Sequence, residues 1–167
     1  MADVLTPQQR SYNMSRIRNK NTKPEEIVRK YLFSRGFRYR KNVSKLPGKP
    51  DIVLPKYKTI VFVNGCFWHK HEGCHYFVWP KNNAEFWKKK IEDNVKRDVY
   101  NYEELKELGW HVIVVWECEL KSACRKETLN RLVENIYANI ASPDVSRNHQ
   151  NATVSQPTNY INKNVKK

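Results

Sequence analysis

Apolar and polar positions recur along this chain with two periods, and the periods divide it into helices and strands. In "NTKPEEIVRKYLFSRG" the residues Ile27, Val28, Tyr31 and Leu32 fall at helical spacing. They predict a helix capped by Asn21 or Thr22, with Pro24 in its first turn and Gly36 as its stop. Upstream, "TPQQRSYNMSRIRNK" predicts a short basic helix over about residues 7–20. "FRYRKNV" alternates as a strand does, "LPGKP" turns the chain, and "DIVL" is a further short strand whose first residue is Asp51. The apolar run "TIVFV", residues 59–63, predicts a central strand, and "WHVIVVW" a second central strand. Between them Asn83 can cap a long amphipathic helix that runs to about Leu108 and stops at Gly109. A last helix fits Lys126 to Ile140.

The order strand, long helix, strand places the fold in the α/β class, because such a crossover normally makes the two strands parallel neighbours in one sheet. Their carboxyl ends then share an edge. Residues 1–141 form one ordered domain on this reading, and no internal repeat is visible. From about Ser142 the composition turns to Asn, Ser, Thr, Gln and Pro, which predicts a polar, disordered tail over 142–167.

Charge narrows the partner. Lys and Arg number 31 against 17 Asp and Glu, a formal net charge of +14, and the pI is about 9.7. Such an excess points to a polyanion, nucleic acid above all. No apolar run approaches a spanning length and the amino terminus lacks a signal-peptide core, so the expected location is intracellular. Four cysteines in a reducing compartment argue for metal ligands rather than for a disulfide framework.

The stretch "NGCFWHKHEGCHYF", residues 64–77, packs two cysteines, three histidines and four aromatics together. The first central strand delivers Cys66 to the shared sheet edge, and the second, ending "VWECEL", delivers Cys118 there. Cys66, His71, Cys74 and Cys118 make a Cys3His set suited to structural zinc. His69, His75 and Cys124 compete as ligands on spacing alone, although Cys124 reads as an ordinary free thiol.

In "LPGKPDIVL" a carboxylate follows a proline turn and opens a strand, so Asp51 is placed either to hold a Mg2+ against a phosphate or simply to cap the turn. Many nucleases supply Glu-x-Lys from the next strand, but "VFVNG" offers Val63, Asn64 and Gly65 instead. A base must come from elsewhere, and His69 follows that strand closely. Glu25 on the second helix, with Asn94 and Asp98 on the long one, are candidates to organise water or orient an imidazole. Helix carboxylates of this kind are ordinarily solvated.

The elements "NMSRIRNKNTKPE", "LPGKPDIVL", "VFVNGCFWHKHEGC", "FWKKKIEDNVKRD" and "ELGWHVIVVWECEL" occur in the order seen in very short patch repair (Vsr) DNA mismatch endonucleases, which residues 10 to about 140 resemble. The Cys-Phe-Trp-His core with the later Trp-Glu-Cys is the most specific part. The resemblance implies a restriction-endonuclease-like fold, a mixed central sheet flanked by helices with an inserted structural zinc loop. It further implies a nickase that cuts 5′ to the thymine of T·G mismatches left by deaminated 5-methylcytosine. The implied roles are Asp51 and the Val63 backbone carbonyl for Mg2+, His69 for general base, and Cys66, His71, Cys74 and Cys118 for Zn2+. Glu25 and Asp98 take accessory positions in the active site, and Asn94 stays a candidate on its place in the long helix alone.

In the same family an aromatic pair enters the duplex beside the mismatch, here Phe67 and Trp68, with Trp87 as a third aromatic and Met14 inserted from the opposite groove. Arg10, Arg16, Arg18, Lys20 and Lys23 would meet phosphates. The implied setting is a monomer at the prokaryotic nucleoid, acting beside a cytosine-5 DNA methyltransferase and possible mismatch-repair proteins. Val63 stands where some members carry Thr, Asn64 where some carry His, and the spacing from His71 to Cys74 is one residue longer than usual. Two other functions compete, a restriction-type endonuclease for perfect duplex and a non-catalytic zinc-stabilised DNA-binding protein.

Overall fold

A computed structural model describes residues 6–16 and 20–141. The tail over 142–167 lies outside the described residues, as do Arg18 and the side chain of Arg10. Among the described residues there are four α-helices, α1 (Pro7–Ser15), α2 (Lys23–Ser34), α3 (Ala84–Glu107) and α4 (Arg125–Ala141), of which α2, α3 and α4 flank a four-stranded mixed sheet. Its strands are β1 (Arg40–Lys41), β2 (Ile52–Leu54), β3 (Thr59–Asn64) and β4 (His111–Trp116), in the spatial order β1-β2-β3-β4. β1 and β3 run antiparallel to β2, whereas β3 and β4 are parallel and end level, with Asn64 opposite Trp116.

Local chemistry accounts for the helix ends. Thr22 and Glu25 form a capping box at the start of α2, and Thr6 and Gln9 form another at α1. α2 closes through Gly36, whose φ is +84°, with the Gly36 amide bonded to the Phe33 carbonyl and the Phe37 amide to the Leu32 carbonyl, both at 3.0 Å. α3 closes in the same way through Gly109 and Trp110.

Several sequence expectations need correction. α1 ends at Ser15 rather than near residue 20. There the Ser15 hydroxyl bonds to the Tyr12 carbonyl at 2.7 Å, the backbone competition that Ser sets up in helices. Only Arg40 and Lys41 of "FRYRKNV" pair in the sheet, since Phe37 is buried beside the end of α2 and Asn42 takes a φ of +50°. Asp51 precedes β2 instead of opening it. Asn83 stands at the start of α3 in a left-handed conformation, without a side-chain cap bond. Among the described residues β4 is an edge strand and not a central one. Its apolar character reflects helices on its two faces, α3 on one and α4 on the other.

Alternation along the strands builds two unequal apolar layers. On one face Ile52, Leu54, Val61 and Val115 pack with Val28, Leu32 and Phe37 and with Leu129, Leu132 and Ile136 of α4. On the other face Val53, Ile60 and Phe62 pack with Leu105 of α3. Gly48, with φ +69°, is pressed against this second layer, where a Cβ would lie 3.1–3.2 Å from Asn101 and 3.2 Å from Phe62. Among the described residues no helix is long and apolar enough to cross a membrane.

Candidate active site and metal cluster

The carboxyl ends of β3 and β4 bring most of the chemically distinctive side chains together. Asp51 reaches from the turn before β2 to β3, where its Oδ2 accepts a hydrogen bond from the Val63 amide at 2.8 Å. Burial pushes the Asp51 carboxyl up to about 6, and Glu25 adds to the rise, while the Val63 amide and the charges of Arg29 and His69 oppose it. A half-buried carboxyl so reluctant to ionise gains by sharing its charge with a cation, which suits Asp51 to holding a hard divalent metal.

Glu25 is buried rather than solvated, at 3 % exposure. Its Oε1 accepts from the Thr22 amide and hydroxyl, and its Oε2 from the Asn21 amide and from Arg29, the last at 2.8 Å. Arg29 in turn donates to the Asn21 and Asn42 side chains and to the Asp51 backbone carbonyl at 3.0 Å. Its Nε is buried without a partner among the described residues. Both Glu25 oxygens are thus committed to the start of α2 and to Arg29, so Glu25 acts on Asp51 through Arg29 and through charge.

His69 sits in the loop after β3 with its Nδ1 2.5 Å from Asp98 Oδ2 on α3. In the tautomer this contact favours, Nδ1–H donates to the carboxylate and Nε2 keeps a lone pair for a proton from elsewhere. Asn94, one helical turn before Asp98, donates from Nδ2 to the Trp68 carbonyl at 3.2 Å. That bond holds the peptide just ahead of the imidazole.

Cys66, His71, Cys74 and Cys118 converge, with one donor atom from each lying within 4.8 Å of the others. His71 Nδ1 is 3.6 Å from Cys66 Sγ and 3.3 Å from Cys118 Sγ. Donors around tetrahedral zinc lie about 3.6–3.8 Å apart, so the residues present fit such an ion. The His71 ring is stacked on Trp116, centroids 4.1 Å apart and planes 1° from parallel, which fixes its direction. Burial pushes the Cys118 thiol up to about 12, helped by the neighbouring Cys66 and Cys74. Three thiols crowded in this way ionise together only with a cation among them. Of the competing ligands, His69 is engaged by Asp98, His75 is exposed beside Tyr76, and Cys124 is an exposed free thiol.

Phe67, Trp68 and Trp87 form a mutual cluster with ring centroids 5.2–5.9 Å apart. All three are half-buried, between the metal-type cluster and the start of α3. Met14 is 40 % exposed on α1. Arg16 bonds to the Tyr12 hydroxyl on the same helix, and Lys20 and Lys23 are exposed.

Sequence reasoning missed Arg29, Tyr102 and Trp116. For Arg29 a signal existed, because Glu25, Val28, Arg29 and Leu32 share one helix stripe, which places two charges in the core-facing row. For Tyr102 and Trp116 the significance lies in partners distant in sequence.

A family model described as DNA mismatch endonuclease Vsr matches residues 2–75. A type II nicking enzyme, V.NmeAIP of Neisseria meningitidis serogroup A, is 55 % identical over 137 residues, covering 81 % of this chain and 97 % of that protein. DNA mismatch endonuclease Vsr of Escherichia coli K12 is 42 % identical over 121 residues, covering 72 % of this chain and 77 % of that protein. This chain belongs to the Vsr family. Type II nicking enzyme V.XorIIP of Xanthomonas oryzae, 48 % identical over 120 residues, covers 72 % of the chain and 88 % of its own length. The chain is therefore a DNA endonuclease, and its basic surface, its polar centre and its aromatic cluster belong to a protein that acts on DNA.

Proposed function

We propose that this Vsr-family chain nicks one strand of duplex DNA 5′ to the thymine of a T·G mismatch, in a Mg2+-dependent hydrolysis that leaves a 5′-phosphate and a 3′-hydroxyl. The observation that carries the reading is the pair of polar contacts at the end of β3, Asp51 on the Val63 amide and His69 on Asp98, 2.8 and 2.5 Å long. In this reading His69 Nε2 takes a proton from the attacking water while Asp98 holds the ring and stabilises the imidazolium that results. Asp51 and the Val63 carbonyl would hold Mg2+, which when bound stabilises charge on the phosphate and the leaving oxygen. Arg29 and Glu25 keep the Asp51 backbone in place.

Cys66, His71, Cys74 and Cys118 would hold Zn2+ as a structural ion that fixes the 66–74 loop against the turn after β4. That loop carries Phe67 and Trp68, which with Trp87 would wedge into the base step beside the mismatch, while Met14 enters from the opposite groove. Unstacking a step costs a few kcal/mol, and less beside a wobble pair, so the mismatch favours its own selection. Arg10, Arg16, Arg18, Lys20 and Lys23 supply phosphate contacts. We assign the sheet and helices to the restriction-endonuclease-like fold. We place the enzyme as a monomer at the nucleoid, beside a cytosine-5 methyltransferase whose deaminated product creates its substrate.

The E. coli relative, named a DNA mismatch endonuclease, favours a mismatched substrate, whereas the type II nicking enzymes among the relatives leave perfect duplex as the second reading. End-labelled T·G and C·G duplexes, each incubated with Mg2+ or with EDTA, separate the two. Nicking of T·G alone, and only with Mg2+, is expected; equal cutting of C·G overturns the mismatch reading. Purified protein should carry about one zinc per chain, and a stable, fully active, zinc-free preparation contradicts the structural role.

A further inference from the structure

The inner face of α3 carries Asn94, Asp98 and Tyr102 at successive helical turns, and each reaches a different point of residues 64–69. Asn94 Nδ2 donates to the Trp68 carbonyl at 3.2 Å, Asp98 Oδ2 meets His69 Nδ1 at 2.5 Å, and Tyr102 Oη accepts from Asn64 Nδ2 at 2.9 Å. The first two contacts steady the loop that bears the base. The third lies one turn further along, where Asn64 ends β3 as a buried side chain at 4 % exposure. Asn64 is bonded in the chain to Val63, whose amide holds Asp51.

The three contacts are spaced about 6 Å apart along one helix. The first two hold the loop after β3, and the third ties the side chain of Asn64, whose backbone is paired with Trp116 of β4, to α3. The Tyr102 ring is already seated on Phe62, centroids 4.9 Å apart, so its hydroxyl is held in direction before it meets Asn64. Burial raises the phenol pKa, the Asn64 bond opposes the rise, and the Asp98 and Asp51 charges add to it, so the hydroxyl keeps its proton at working pH.

Resting on the assignment of Asp51 and His69 above, we propose that Tyr102 is a positioning residue for strand cleavage. Its hydroxyl fixes Asn64, and through Asn64 it fixes the separation between the Asp51–Val63 pair and the His69–Asp98 pair.

The test uses the full chain with Tyr102→Phe, which removes one oxygen and keeps the ring on Phe62. Single-turnover nicking of a T·G duplex with Mg2+ at saturating enzyme is measured beside duplex affinity in EDTA and a thermal melt. The expected result is a rate about tenfold lower with affinity unchanged and the protein still fully folded at the assay temperature, the melting temperature falling by only a few degrees because the buried Asn64 amide loses its acceptor. Asn64→Leu should lose a similar factor, and the double variant should be no slower than the slower single one, because both remove the same contact. Multiplicative losses in the double variant, or a rate that falls only in step with the melting temperature, overturn the proposal. His69→Ala is run in parallel. Nicking undiminished in His69→Ala overturns the assignment of the base, whereas a wild-type rate in Tyr102→Phe with an inactive His69→Ala overturns the positioning role alone.

Discussion

The two faces of the sheet are built from different materials. Among the described residues one apolar cluster of eleven is buried toward α2 and α4, and its polar inclusion, Glu25 with Arg29, bonds inward to the backbone of the chain. Toward α3 the corresponding cluster has four buried residues, and contact with the carboxyl end of β3 passes through Asn94, Asp98 and Tyr102. A face held by apolar burial resists change in proportion to the area removed from water. A face held by a few hydrogen bonds has geometry that a single atom can alter, at a cost of about 1–3 kcal/mol where a buried partner is left unsatisfied. Strand cleavage needs fixed geometry more than it needs stability, and the proposed base lies on the face where hydrogen bonds set that geometry.

The widest separation of the two faces should come from His69→Ala on the α3 side. Nicking should fall by roughly 10²- to 10⁴-fold, the usual contribution of a general base, with melting temperature and mismatch binding retained. A fall in melting temperature matching the lost activity would erase the contrast.

On the opposite face Arg29→Met should do the reverse. It leaves Glu25 buried without its partner at a cost of about 3–5 kcal/mol, readable as a lower denaturation midpoint. The Arg29→Met, Glu25→Gln pair should recover part of that loss, because the uncompensated charge is gone. No recovery would mean that Arg29 acts through packing instead.

Asp51 lies between the two faces and sharpens the comparison through pH. Its folded-state value near 6 stands above the ordinary 3.8, so the fold favours the protonated carboxyl. The stability this gives is complete below about pH 4 and is lost as pH rises through about 6. Asp51→Asn stays neutral throughout. Without Mg2+ it should therefore be more stable than wild type at pH 7.5, by on the order of 1–3 kcal/mol, and equal to it near pH 4, although inactive. Denaturation curves at the two pH values check the sign, and a destabilised Asp51→Asn at pH 7.5 would contradict it.

The smallest effect is expected outside both layers. Phe67→Ala with Trp68→Ala should lower the preference for T·G over C·G duplex by about tenfold, with the melt little changed, if the pair acts as a wedge. Core residues would instead cost ~3–5 kcal/mol each and collapse the melt.

Much of this was legible from the chain alone. Thr22, Pro24 and Gly36 marked α2, Gly109 marked the end of α3, and "TIVFV" and "WHVIVVW" marked the parallel pair, because caps and periodicity are local properties of neighbouring residues. From that order alone it followed that Cys66 and Cys118 would share an edge. The family followed from the Cys-Phe-Trp-His and Trp-Glu-Cys elements.

What only the tertiary structure decided depends on where an element's other side lies. The strand β4 is as apolar as β3, yet it stands at the edge, since helices on its two faces make an edge strand read like a central one. Glu25 looked like a solvated helix carboxylate and is buried, because Arg29 meets it on the same stripe and Asp51 lies across from it. Asn64 and Tyr102 are 38 positions apart and belong to elements of opposite period. No local pattern pairs a strand's last residue with one turn of a helix; their meeting is set by the packing of α3 on β3, a property of the assembled sheet.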